Sequence, residues 1–129
     1  MSDAFRAAVE AADHDAMAAE LADDVVFHSP VAFTPFVGRE SVAGVLEAVM
    51  GTFTEFSYSD ELAEGETTAL VFNANVGEKK VQGLDFLKRD EDGKISEFTV
   101  MLRPLSGVIA MAEAMGPKVA GLAKGEPPK

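Results

Sequence analysis

The chain has 129 residues, with 22 acidic and 11 basic side chains and a formal net charge of −11 at pH 7. This length suits one domain with its own core, and the negative charge opposes binding to nucleic acid or to an anionic membrane. The absence of cysteine excludes disulfides and thiol catalysis. No apolar stretch approaches the roughly 18 residues of a membrane-spanning helix, and we see no signal peptide, so we expect a cytoplasmic protein.

The first half of the sequence predicts mainly helices. Residues 3–22 carry apolar side chains at helical spacing and predict two short helices or one bent helix, ended by Asp23 and Asp24. The β-branched and aromatic residues of 25–29 predict a short strand. Residues 39–52 form the clearest helical pattern, because six apolar side chains fall on one face. These six are Val42, Val45, Leu46, Val49, Met50 and Phe53.

The second half changes to a period of two, which predicts four strands joined by close connections in an antiparallel meander. The four segments are residues 55–62, 67–76, 80–88 and 94–103. In the first, Phe56, Tyr58 and Leu62 share one face; in the third, Asp85 faces opposite to Leu84. A helix that begins near Leu105 follows the last strand, and its apolar residues at helical spacing are Leu105, Val108, Ile109, Ala112 and Met115.

This order of elements predicts an α+β fold in which helices pack on the concave face of a curved, cone-shaped antiparallel sheet. A cone leaves a cavity where a small ligand can bind. We expect residues 1–123 to form the single domain and residues 124–129 to form a disordered tail. Apolar residues on the outer face, such as Leu84 and Phe86, predict a homodimer through the sheet. Scattered exposed apolar residues of a monomer are the alternative.

Three stretches resemble the nuclear transport factor 2-like superfamily, which has a cystatin-like fold and includes ketosteroid isomerases and SnoaL-like polyketide cyclases. Residues 11–31, "AADHDAMAAELADDVVFHSPV", resemble the opening segment of the ketosteroid isomerases. Residues 83–98, "GLDFLKRDEDGKISEF", resemble their paired late strands. Residues 99–108, "TVMLRPLSGV", followed by a helix, are similar to SnoaL-like proteins.

The resemblance implies three functional positions. Ser29 stands where the isomerases have an Asp general base, and Phe5 stands where they have a Tyr oxyanion donor. Asp85 matches the Asp that stays protonated and donates to the oxyanion. With two of the three groups replaced, ordinary ketosteroid isomerase activity is not expected. SnoaL-like cyclases use an acid–base pair, for which Asp85 with His28 is the closest analogue.

The candidate catalytic residues are therefore Asp85, His28 and Ser29. A buried Asp85 would have a raised pKa and could donate a hydrogen bond to a ligand carbonyl. The structural alternatives are an Asp that faces solvent, a His with a purely structural partner, and a Ser that caps a turn. Eight apolar residues are the expected ligand contacts: Phe5, Phe33, Phe36, Val49, Phe53, Phe72, Phe98 and Leu102. No metal or cofactor is expected, because two His without Cys give no ligand spacing.

The first functional hypothesis is that an apolar cavity binds a hydrophobic carbonyl compound, such as a polyketide- or steroid-like ring, for isomerisation or cyclisation. The second is a non-catalytic, dimeric ligand-binding or interaction domain of the same fold, so the sequence leaves open whether the protein is an enzyme. Limonene epoxide hydrolases share the resemblance and use an Asp-Arg-Asp arrangement with Tyr. Tyr58, Arg103 and Asp85 are the available residues, but Arg103 and Asp85 have opposite predicted parity on adjacent strands.

Overall fold

The computed structural model describes residues 4–121, and the predicted tail at 124–129 lies outside this range. Within the described range, no helix is both long and apolar enough to cross a membrane. The described chain folds into four helices and six strands. In chain order they are α1 (Ala4–Glu10), α2 (His14–Ala19), β1 (Leu21–His28), β2 (Phe36–Val37), α3 (Arg39–Thr52), β3 (Phe53–Glu64), β4 (Thr67–Val76), β5 (Lys79–Arg89), β6 (Ile95–Arg103) and α4 (Leu105–Val119).

The strands form one curved, unclosed sheet in the order β2-β1-β6-β5-β4-β3. Strands β3 to β6 pair antiparallel in sequence order, which confirms the predicted meander. β1 pairs parallel with β6 and antiparallel with the short β2. The helices cover one face of this sheet, so the predicted α+β fold is confirmed.

Side chains in β4 and β5 alternate between a buried concave face and a more exposed outer face, as the period of two predicts. In β5 the buried set includes Val81, Asp85 and Leu87, whereas Leu84 and Phe86 on the outer face remain partly exposed. This alternation directs the carboxyl group of Asp85 toward the helices rather than toward the outside of the sheet.

The N-terminal segment differs from the prediction at its end. Two helices form, but α2 ends at Ala19 and β1 begins at Leu21, so Asp23 and Asp24 lie within a strand instead of ending a helix. Leu21 is fully buried against the sheet core, which favours the extended conformation there. The register of β1 against β6 shifts between Leu21 and Val26, and this irregularity leaves both acids exposed.

Strand β3 contains two register shifts that the period of two does not reveal. The first lies between Thr54 and Ser57, and the second between Tyr58 and Asp60. Each inserts one extra residue opposite β4, and each exchanges the faces of the residues that follow. The predicted shared face of Tyr58 and Leu62 is therefore wrong, because Leu62 is 72% exposed.

Helix α4 packs on the sheet through a face that agrees only in part with the predicted one, because Met115 is buried as expected but Leu105 and Ile109 are not. Its buried residues are Gly107, Met111 and Met115, while Leu105 and Ile109 are exposed. Gly107 allows this close approach, because a Cβ atom there would lie 2.3 Å from a methyl group of Val81. The helix thereby closes one side of the space above the concave face.

Candidate functional site

A cavity of about 390 Å³ lies between the concave face of the sheet and the covering helices. This volume falls in the range of small-molecule sites, which are mostly apolar with a few polar groups. The polar side chains that line it within residues 4–121 are Ser29, Tyr58 and Asp85. Seven of the eight predicted apolar ligand contacts also line it: Phe5, Phe36, Val49, Phe53, Phe72, Phe98 and Leu102.

Asp85 lies in the middle of β5, between Leu70 of β4 and Val100 of β6. Only 7% of its surface is exposed. Burial disfavours the charged carboxylate and raises the pKa of Asp85 from 3.8 to about 7, while the hydrogen bond from Tyr58 acts in the opposite direction. Near neutral pH this side chain is therefore a mixture of a carboxylic acid, which can donate a proton, and a carboxylate.

Tyr58 is the partner of Asp85, and the sequence did not predict this role. Its hydroxyl group donates a hydrogen bond of 3.4 Å to Oδ2 of Asp85. Burial, followed by the nearby charge of Asp85, raises the pKa of Tyr58 above its usual value of 10, so the phenol keeps its proton. The cavity therefore presents a hydrogen-bonded pair, Tyr58 and Asp85, on one apolar wall, and the proton of this pair that is free for a ligand is the one on the neutral carboxyl group of Asp85.

The position of Tyr58 depends on the second bulge of β3. Counting back from the hairpin turn, where Glu64 pairs with Thr67, places Tyr58 opposite Asn73 on the outer face. The observed partner is Phe72, whose side chain faces the cavity. Two features of the sequence point to Tyr58. It is the single tyrosine of the chain, and it lies two residues after Phe56, on the same face of the strand.

Stacked aromatic rings form the wall beside Tyr58 and Asp85. The rings of Phe56 and Phe72 are stacked with centroids 4.9 Å apart, and Phe53 packs 5.4 Å from Phe72. Gly83 makes room for the Phe72 ring, because a Cβ atom there would lie 2.1 Å from its outermost carbon. Such a wall can stack against a planar ring of a ligand.

Two predicted site residues, Phe33 and His28, lie outside the cavity lining. Phe33 is 83% exposed and does not line the cavity, because it lies in the irregular segment between β1 and β2. His28 is also outside the cavity lining, and its Nε2 lies 3.1 Å from Oε2 of Glu97. It follows Phe27, which faces the cavity, so strand alternation turns His28 to the outer face and separates it from Asp85.

Ser29 does line the cavity, but its hydroxyl oxygen already has two partners. Oγ accepts hydrogen bonds from the backbone N–H groups of Val31, at 3.1 Å, and Ala32, at 3.2 Å. These bonds occupy its lone pairs and match the turn-capping alternative. Ser29 can still donate its own proton, whereas a role as a general base has no support in this geometry. Among the described residues, no group of three or more His, Cys, Asp or Glu could hold a metal ion.

The fold and the site together define a class of protein: an α+β cone whose apolar cavity contains one buried carboxyl group. The model of the SnoaL-like domain family matches residues 3–98, and the chain belongs to that family. The predicted resemblance is confirmed. No protein with a curated description matches the chain.

Two solved structures are similar in sequence as well as in fold. One is an uncharacterized protein conserved in bacteria, with a cystatin-like fold, from Silicibacter pomeroyi DSS-3, at 36% identity and a TM-score of 0.87 over 92% of this chain and 84% of that chain. The other is a steroid delta-isomerase from Pseudomonas aeruginosa, at 37% identity and a TM-score of 0.80 over 92% and 93%. A SnoaL-like protein of unknown function from Burkholderia thailandensis E264 shares the fold at 17% identity, with a TM-score of 0.66 over 78% and 90%.

Proposed function

We propose that the cavity binds a small apolar carbonyl compound, such as a polyketide- or steroid-like ring, and that Asp85 donates a hydrogen bond to the carbonyl oxygen. The observation that carries this proposal is the protonatable carboxyl group of Asp85 on an otherwise apolar wall. Tyr58 assists by donating its proton to Oδ2 of Asp85, which holds the carboxyl group in place, and the stacked aromatic wall accommodates the ring of the ligand. The likeness to a steroid delta-isomerase supports a carbonyl substrate of this kind.

The proposed reaction class is isomerisation or cyclisation through an enol or enolate, in which a water molecule in the cavity takes the proton from the α-carbon. Such a reaction places negative charge on the carbonyl oxygen, and preorganised donors stabilise that charge strongly in a dry site. A neutral Asp is suited to this task because it donates without adding a competing negative charge. The usual arrangement of ketosteroid isomerase is excluded from the proposal, because Ser29 and Phe5 replace its base and its Tyr donor.

The affinity of the protein for 1-tetralone, a bicyclic aromatic ketone, tests the proposal by calorimetry below pH 6. Replacing Asp85 with Leu removes the donor and keeps the bulk, so we expect affinity for the ketone to fall by about tenfold or more. Tetralin, the matching hydrocarbon, serves as the control ligand, and its affinity should not fall. Equal losses for both ligands, or no loss for the ketone, would contradict a hydrogen bond from Asp85.

A non-catalytic binding domain is the second candidate, and one observation favours it. Of the cavity-lining residues described, only Tyr58 and Asp85 titrate, so no separate base accompanies them. Exchange of the α-hydrogens of 1-tetralone in heavy water, followed by proton NMR, distinguishes the two candidates. Exchange that the wild-type protein accelerates and the Asp85→Leu variant does not would indicate an enzyme. Tight binding without accelerated exchange would indicate a binding protein.

We also propose that the protein forms a homodimer through the outer face of the sheet. Leu84 and Phe86 are only partly covered there, and Met101 beside them is 55% exposed. A lysine at either Leu84 or Phe86 would place a charge in an apolar interface, so we expect sedimentation velocity to shift toward the monomer. Ile109→Lys on α4, away from the sheet, is the control and should leave sedimentation unchanged. An unchanged coefficient for both sheet variants would exclude this face as the interface.

A further inference from the structure

Arg6 of α1 lies against the outer side of the Tyr58 ring. The carbon at the centre of its guanidinium group is 5.3 Å from the centroid of that ring, within the distance of a cation–π contact. Nη1 donates to Oε1 of Glu61 at 3.0 Å, and Nε donates to Oε2 of Glu10 at 3.4 Å. The side chain of Arg6 is 25% exposed, so these contacts hold it partly within the protein.

The second bulge of β3 makes this arrangement possible. By changing the parity of the strand after Tyr58, it turns Glu61 toward the same face, opposite Leu70. Glu61 can therefore fix Arg6 over the ring of Tyr58. On its other side the ring contacts Phe56 edge-on, with centroids 5.0 Å apart and planes at 90°. Contacts on two sides leave the phenol little freedom to rotate.

The orientation of this ring decides whether Tyr58 and Asp85 form their hydrogen bond. The hydrogen bond from Tyr58 to Asp85 is already long at 3.4 Å, so a small displacement of the ring would break it. Arg6 also offsets nearby negative charge: Glu10 raises the pKa of Tyr58, and Arg6 lowers it. Glu61 is a further charged contact of Arg6, and the cavity-lining residues from α3 and α4 carry no charge.

We propose that Arg6 is a positioning residue of the cavity, which holds the Tyr58 ring so that its hydroxyl group bonds Asp85. Arg6 acts through Tyr58 and does not itself line the cavity. The inference deepens the proposed function, because it assigns part of the donor geometry to a side chain on α1. The geometry on which it rests does not depend on the identity of the ligand.

A double-mutant cycle on the ionisation of Asp85 tests this inference without a ligand. The readout is the pH titration of the Asp85 carboxyl carbon by ¹³C NMR, with Asp85→Asn identifying the signal. Because the bond from Tyr58 lowers the pKa of Asp85, Tyr58→Phe should raise the midpoint. Arg6→Met should raise it by a similar amount, on the order of half a pH unit, and should add nothing in the Tyr58→Phe background.

Three controls make the outcome specific. Arg6→Lys keeps the cation and should restore most of the wild-type midpoint. Glu61→Gln keeps an acceptor for Arg6 and offers a milder variant, with a smaller shift in the same direction, should Arg6→Met fold poorly. Arg39→Met removes the ion pair of Arg39 with Asp23, 2.8 Å on the exposed surface, and should not move the midpoint.

Two results would overturn the inference. A shift of equal size with and without Tyr58 would show that Arg6 acts on Asp85 by direct charge. No shift in Arg6→Met or Glu61→Gln would show that Arg6 forms only a surface ion pair. In both cases a wild-type midpoint near 7 would leave the proposed role of Asp85 intact, so failure here is distinguishable from failure of the proposed function.

Discussion

The Asp85→Asn variant is expected to be more stable than the wild-type protein at alkaline pH and about equally stable near pH 4. Burial raises the pKa of Asp85 from 3.8 to about 7, so the folded state resists ionisation of a group that ionises freely when unfolded. The difference between these two pKa values corresponds to about 4 kcal/mol once the group is fully ionised. Asn has nearly the same shape and never takes the charge.

The sign of this effect follows from proton binding. Between pH 3.8 and 7 the folded state holds more protons on Asp85 than the unfolded state does. The stability that the neutral acid contributes is therefore fully present below pH 3.8, and it is lost as the pH rises through 7. Urea unfolding of both proteins across this range isolates Asp85 from the other acids, because only the difference between the two proteins is used. A constant difference at all pH values would contradict a buried, neutral Asp85.

Gly83→Ala is expected to reduce stability by about 1–3 kcal/mol, the usual cost of overpacking. The added methyl group would overlap the ring of Phe72, with three ring carbons within 2.8 Å of it. Phe72 is itself 1% exposed and borders the cavity, so the open direction for its ring is into the ligand space. We therefore expect the variant to lose affinity for 1-tetralone as well as stability, measured by urea unfolding and calorimetry.

Gly51→Ala is the matched control. Gly51 lies in the last turn of α3, and an added Cβ atom there meets nothing within 4 Å. Alanine is a better helix former than glycine, so we expect an unchanged or slightly increased stability, by up to about 1 kcal/mol, and unchanged binding. If Gly83→Ala changes stability and affinity for 1-tetralone no more than Gly51→Ala does, the close contact between Gly83 and Phe72 does not determine the shape of the cavity.

The elements with an uninterrupted period are those that the sequence predicts well. The bounds of α3 agree with the expected 39–52, and β4 agrees with the expected 67–76. In β5, alternation alone is enough to bury Asp85 beside Val81 and Leu87. These predictions succeed because one face of each element packs against the core along its whole length.

The elements that the sequence predicts poorly are those with a β-bulge and those with apolar residues on more than one face. The adjacent acids Asp23 and Asp24 are typical of a turn, but both lie in β1, where a shift in the register against β6 leaves their side chains in solvent. Helix α4 is apolar on more than one side, and the close contact that Gly107 permits selects the face that packs. Neither the position of a bulge nor the fit of a glycine against a neighbouring side chain is encoded in a local pattern.

The same limits explain what was found and missed in the site. Asp85 was predicted from two observations together: it is a carboxylate within an apolar strand, and it matches the position that the resemblance assigns to a protonated Asp. Tyr58 was named only in the comparison with the epoxide hydrolases, and its hydrogen bond to Asp85 was not predicted because two bulges determine its face. His28 was placed in the site through the resemblance, although strand alternation directs it to Glu97 outside the cavity.

The most direct test of the central claim is the preference for 1-tetralone over tetralin, measured by calorimetry from about pH 5.5 to 8.5. A neutral Asp85 donates to the ketone and an ionised one repels it, so the preference should fall about tenfold or more with a midpoint near 7. The Asp85→Asn variant should show a preference that does not change with pH. A wild-type preference that is equally flat, or one that is lost with a midpoint near 4, would contradict the account.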